Sequence, residues 1–268
     1  MLFRNSALPK ILLFALAWIA PLRLPAQSAA SDTLIDRTGR QISAYLDEIS
    51  DVKCTETVVQ EKLAPNGHKE REQRATYDYL VLLQGTHDDF FLSESRLPQK
   101  ESARPQDALP MLLTNGFSNL FLIFHPYYRD SFRFELGVAE VINGSTLIPV
   151  KFTHVPGTRT PAALAIRSRE YPLELTGTAW IDASTAMITK MTVSLQNDLH
   201  DVGLRAMNVE VAYAPISLPG WERAVRLPTV AKVDVQTNKQ HWRNVHEFTN
   251  YKRFSVDTES TVAAVKGN

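Results

Sequence analysis

A chain of 268 residues with 29 basic and 29 acidic side chains has no net charge. It therefore has no general attraction to nucleic acid, whose binders usually present a basic patch or stripe. Its single cysteine, Cys54, excludes an internal disulfide and a cysteine-rich zinc site.

The first stretch, MLFRNSALPKILLFALAWIAPLRLPAQ, has Arg4 and Lys10, then an apolar run over Ile11–Leu22, then the small residue Ala26. A basic start, an apolar segment of roughly 7–15 residues and a small residue at the end describe a secretory signal peptide. A membrane-spanning helix needs about 20 apolar residues, and here Pro21 and Arg23 interrupt the run. Residues 1–26 are thus expected to be a cleaved signal peptide, with 27–268 a single exported domain ending in a frayed tail. Cleavage removes Arg4, Lys10 and Arg23, leaving 26 basic against 29 acidic residues. The expected compartment is the bacterial periplasm, with no transmembrane span after cleavage.

Next, SDTLIDRTGRQISAYLDEI reads as a helix. Ser31 or Asp32 can cap it, and Leu34, Ile42, Tyr45, Leu46 and Ile49 share one face. From Val52 the period becomes two. CTETVVQEKL and ATYDYLVLL are strand candidates, with a turn at PNGH and a charged connection, HKEREQR, between them. Cys54 falls where a small buried hydrophobe fits. DFFLSESR is a third strand candidate. RPQDALPMLLTNGFSNLFLIFHPYYRD then carries a greasy stripe of Leu109, Leu112, Leu113, Phe117, Leu120, Phe121 and Phe124, read as short helices bounded by Pro110, Gly116 and Pro126. These either pack on the core or cover a lipophilic cavity.

Strands return from Phe132. FRFELGVAEVI reads as one strand, with Phe132, Phe134, Leu136 and Val138 on one side, and Asn143-Gly144 supplies a hairpin turn before LIPVKFTHV. A Pro/Thr/Ala-rich connection leads to LTGTAWIDASTAMITKM, in which Asp182 is read as a turn cap and Gly177 as a bend or bulge. GLRAMNVEVAY, LPTVAKVDVQT and HWRNVHEFTNYKRFSV alternate in the same way. The fold class is α+β. About ten strands on short connections imply a curved antiparallel sheet, an incomplete β-barrel, with a few helices covering the concave face.

Patterns that carry chemistry are scarce. GFSNL lacks the second glycine of a nucleophile turn. His241 and His246 lie five apart, on opposite faces of a strand, and cannot share a metal. His87, Asp88 and Asp89 fit a turn better than a metal site, and Arg96, Arg167 and Arg169 near Glu94 and Glu170 fit surface charge pairs better than an anion site. No catalytic residue, metal site or cofactor is expected, and the chain is read as no enzyme.

The helix Leu34–Ile49, the strand around Cys54 and the hairpin LTGTAWIDASTAMITKM together resemble the lipoprotein-carrier superfamily of periplasmic proteins. That resemblance implies an unclosed β-barrel whose concave side, partly covered by helices, can take acyl chains. The expected ligand cavity has a wall of Leu173, Leu175, Ala179, Ile181, Met187, Met191 and Val193, with Phe117, Phe121 and Phe124 from the cover. The expected partner is a hydrophobic ligand or lipoprotein. The alternative is an envelope protein-interaction or sensor module without small-molecule cargo, with Trp180, Trp221 and Trp242 as candidate contacts.

Overall fold

In a computed structural model of the protein, the described residues are 26–49, 52–86, 89–99, 117–166, 169–219 and 224–253. Residues 1–25 of the expected signal peptide, Leu109 to Leu113, His87, Asp88, Arg167, Trp221, Phe254 and Val256 lie outside them.

The amphipathic stretch forms α1 (Ala26–Ile49), which starts five residues before the expected Ser31 cap. Alternation from Val52 produces β1 (Val52–Leu63), whose burial alternates along its length. It pairs antiparallel with β2 (Lys69–Thr86). The charged HKEREQR segment is therefore mostly strand and not a connection. Lys69 to Arg74 are largely exposed and pair with Glu61, Lys62 and their neighbours in β1, so this part of β2 needs no apolar face. β3 (Asp89–Pro98) follows, and the greasy segment contributes a 3-10 helix (Phe117–Phe124) and the short α2 (Pro126–Arg129).

FRFELGVAEVI is two strands and not one. β4 (Phe132–Leu136) ends where the Gly137 amide donates to the Pro149 carbonyl, and β5 (Glu140–Ile142) resumes after the break. Val138, expected to face inward with Phe132 and Phe134, is 84% exposed. The Asn143-Gly144 turn is as read, with both residues at positive φ. It leads into β6 (Ser145–His154). Inside the Pro/Thr/Ala-rich connection, β7 (Ala163–Ile166) and β8 (Arg169–Pro172) make a small separate sheet that the sequence reading missed.

The remaining strands are β9 (Leu175–Asp182), β10 (Ile188–Leu195), β11 (Leu204–Ile216), β12 (Val225–Thr237) and β13 (His241–Arg253). The main sheet has the order β3-β2-β1-β13-β12-β11-β10-β9-β6-β4, with β5 paired to β6, and counts 11 strands among the described residues. Every pairing is antiparallel. The two ends, β3 and β4, do not pair, so the sheet is not closed into a barrel.

One face of this sheet is apolar. Leu175, Ala179, Met191, Val211, Leu227, Ala231 and Phe248 belong to a single buried cluster that also takes in Leu34, Ile35, Ile42 and Leu46 of α1. Gly177 is not a bulge: the β9 register runs unbroken past it on both sides. A Cβ there would lie 2.0 Å from the Thr192 carbonyl oxygen and 2.7 Å from the Phe152 ring. Only glycine lets the backbone of β10 and that ring approach so closely.

Candidate functional site

Two features stand apart from ordinary core packing: a cleft beneath α1 and a buried set of charges beside it on the sheet.

α1 is held by its N-terminal half. The Arg37 guanidinium donates to the Ser184 carbonyl at 2.8 Å and the Ala183 carbonyl at 3.3 Å, in the β9–β10 turn. Asp36 pairs with Arg129 of α2. The turn itself is built by Asp182, whose Oδ1 accepts from the Ser184 amide at 3.0 Å, the Ser184 hydroxyl at 2.5 Å and the Thr185 amide at 3.0 Å. Burial alone would raise the Asp182 carboxyl, but these donors outweigh it and hold it below the usual carboxylate range. Asp182 is a turn cap and an anchor for the helix.

Further along, α1 does not close down on the sheet. A cleft of about 140 Å³ remains between Ile42 and Tyr45 of α1, Phe121 of the 3-10 helix, and Ile188, Tyr213 and Val225 of the sheet. It is open at the side where Gln41 and Ala44 are exposed. Tyr45 meets Phe121 edge-on, with ring centroids 5.4 Å apart, which forms one corner of the cleft. Thr38 and Arg226 also line it, and no Asp or Glu does among the described residues.

Of the residues expected at a ligand cavity, Phe121 and Met187 line the cleft. Phe124, Leu175, Ala179, Ile181, Met191 and Val193, with Leu173, are buried in the main core cluster. Phe117 opens the 3-10 helix, and its side chain is outside the description. Thr38, Ile188, Val225 and Arg226 were not among the expected site residues, and Tyr213 only shared a strand face in GLRAMNVEVAY. Of the three tryptophans, Trp242 is buried, and Trp180 is half-buried under Lys190, whose ammonium sits 5.3 Å from the ring centre.

The charged set lies on the same face of the sheet, at β3, β1 and β13. Arg96 donates to Glu56 through Nε at 2.5 Å and Nη2 at 3.0 Å, and lies 3.1 Å from Glu94. His246 Nδ1 donates to Glu56 Oε1 at 2.8 Å. Glu56 and His246 are fully buried. Burial alone would raise the Glu56 carboxyl. Hydrogen bonds from His246 and Arg96, with the guanidinium charge, prevail and hold it below its ordinary value. Burial likewise works against the Arg96 charge, but Glu56 and Glu94 keep the guanidinium firmly protonated. Arg96 thus serves a buried ion pair and not the surface pairing read from SESR, while Arg169 stacks on Tyr171 at 5.0 Å. Gln60, also fully buried, has neither amide atom hydrogen-bonded.

His241 faces the other way, 2.7 Å from Asp234, so the two histidines do not meet. Among the described residues no group of three or more His, Cys, Asp and Glu side chains is placed to hold a metal ion. Cys54 is buried, and burial pushes its thiol up to about 12, so the thiolate is not formed near neutral pH. No described helix is long and apolar enough to cross a membrane.

No protein-family model matches the chain, and no curated protein matches it. Solved structures do resemble it. A DUF1329 family protein from Desulfovibrio piger is 10% identical, with a TM-score of 0.45 over 87% of this chain and 94% of that one. A domain from Vibrio parahaemolyticus, described as an outer membrane lipoprotein-sorting protein, is 9% identical, with a TM-score of 0.43 over 84% of this chain and 94% of that one. A chain from the MucA/MucB complex of Pseudomonas aeruginosa is 11% identical, with a TM-score of 0.22 over 82% and 100%. The second description names the same kind of protein as the resemblance drawn from the sequence. With TM-scores below 0.5, these likenesses carry no argument about what the chain does.

Proposed function

We propose that the chain is an exported, non-catalytic protein of the bacterial cell envelope that binds a hydrophobic ligand, a lipid or the acyl part of a lipoprotein, beneath α1. The observation that carries this reading is the cleft of about 140 Å³ left between an amphipathic helix and the apolar face of an open sheet. In this reading α1 and the 3-10 helix cover the hollow of a curved sheet. Ligand pockets for drug-sized molecules occupy roughly 300–1,000 Å³, so the cleft as it stands admits only part of an acyl chain. Full loading requires the exposed side of α1 to lift while Arg37 and Asp36 hold its other half. Asp182 is committed to its turn and Glu56 to Arg96 and His246.

The test is to purify the protein without detergent, extract it with organic solvent and examine the extract by mass spectrometry. Co-purifying lipid, and uptake of a fluorescent fatty acid by the delipidated protein, are the expected results. An empty extract together with no uptake would sink the proposal.

One observation favours a second reading, docking of an envelope protein. Val138 and Val141 are 84% and 76% exposed beside Ile142, and β5 pairs only with β6 among the described strands. Exposed aliphatic residues at an unpaired strand edge are a ready template for another chain. Cross-linking from position 141 in intact cells separates the readings: a discrete adduct that is lost in Val141→Asp supports docking, and its absence leaves ligand binding alone.

A further inference from the structure

Three polar side chains that line the cleft are under-used. Thr38 is 1% exposed, and its hydroxyl has no hydrogen-bond partner. The Tyr213 hydroxyl, buried in the sheet wall, has only the Met191 sulfur at 3.9 Å, a weak acceptor. Arg226 makes no ion pair among the described residues. Its hydrogen bond is a long one, 3.5 Å to the Tyr213 carbonyl. Buried hydroxyls are nearly always paired, and one left alone is destabilising. Two under-used hydroxyls and a guanidinium with no ion pair among the described residues thus line one apolar cleft.

An acceptor-rich, negatively charged group on an apolar stem is the complement of that lining. We propose that the cleft takes an anionic single-chain amphiphile, with its carboxylate or phosphate on Arg226 and the Thr38 and Tyr213 hydroxyls. The first methylenes of the chain lie against Ile42, Phe121 and Ile188. This rests on the reading of the cleft as the ligand site and adds the class of ligand. A guanidinium can hold either anion with two parallel hydrogen bonds, which a neutral head group does not draw on. A cavity of roughly 150 Å³ holds about one benzene, so the cleft as it stands takes the start of one chain and not of two side by side.

Calorimetric titration of the detergent-free protein at pH 8 with decanoate, decyl phosphate and decanol tests this. One of the two anions is expected to bind at least about tenfold tighter than decanol, and the tighter of the two identifies the head group. Arg226→Gln should bring that anion down to the level of decanol and leave decanol unchanged. Thr38→Val should weaken the anion severalfold. Arg226 is half-exposed, and a thermal melt of its variant verifies that it is folded. Equal affinity of decanol and both anions in the parent overturns the anionic assignment while leaving the cleft as a ligand site. A preference that survives Arg226→Gln also overturns it. Failure of all three ligands to bind removes both readings together.

Discussion

Glu56, Arg96 and His246 place charge where the strands otherwise bury apolar side chains, and this sets their energetics. Moving ions out of water is costly, and the attraction between them repays the cost only while every partner is present. Removing one partner of a buried pair costs about 3–5 kcal/mol. Glu94 remains beside Arg96 when Glu56 is lost, so Glu56→Gln should fall at the lower end, about 3 kcal/mol in denaturant unfolding. The Glu56 carboxyl lies below its ordinary value of 4.5 in the folded chain. Its contribution is therefore complete above that value and is lost as pH falls through the depressed folded one. Unfolding free energy measured from pH 7 downward should drop below about pH 4.5 in the parent and drop less in Glu56→Gln. An equal acid sensitivity in both proteins would show that the network does not set it. A trace of this site was legible in the sequence. In VKCTETVVQ, reading by twos puts Glu56 and Gln60 on the face of Val52, Cys54 and Val58. A carboxylate at an inward position signals a partner, but the partners come from β3 and from β13, 190 residues away. Alternation within one strand cannot name them.

At the scale of elements, α1 depends on a turn far from it in sequence. Arg37 reaches across to the Ala183 and Ser184 carbonyls, and Asp182 shapes that turn. The turn and the helix were both legible, since Asp182 has the sequence context of a cap and α1 has its apolar face. The link between them was not, because an arginine on a helix looks solvated unless its acceptor is known. A hydrogen bond from a charged donor contributes roughly 1.5–3 kcal/mol, less where the acceptor is exposed, as the Ser184 carbonyl is. Arg37→Ala should therefore cost about 1 kcal/mol and act locally. Hydrogen exchange followed by mass spectrometry should show faster exchange in α1, with β9 to β12 unchanged. Exchange rising equally across the sheet would mean that α1 does not open as a unit. The strands that misled were those with unusual surroundings. Lys69 to Arg74 looked like a connection because their side chains in β2 are largely exposed, and Val138 looked like a continuation of the apolar face because alternation does not reveal the break at Gly137.

For the whole molecule, the antiparallel, unclosed sheet was legible because most connections are short and most strands alternate cleanly. What fills the space between sheet and helix was not legible, since that depends on how closely α1 approaches. An unfilled void costs about 24 cal/mol per Å³, so a 140 Å³ cleft that stayed empty would forgo at most about 3 kcal/mol. Its opening to solvent makes the real figure smaller. A chain that keeps such a space rather than packing it gives up stability, which the proposed ligand would return on binding. At a ligand concentration 100 times Kd, binding stabilises the folded state by about 2.7 kcal/mol. For a domain of this size that is a rise of roughly 5–10 °C in Tm. Ile42→Trp projects an indole from α1 into the same space and should separate the two contributions. The empty variant should melt at or slightly above the empty parent, because the void is smaller. Adding decanoate or decyl phosphate should raise the Tm of the parent and leave that of the variant where it was. A variant that melts well below the parent would mean that the indole is overpacked and the space is already closed. A variant that keeps the full ligand-dependent rise would place the ligand somewhere other than beneath α1.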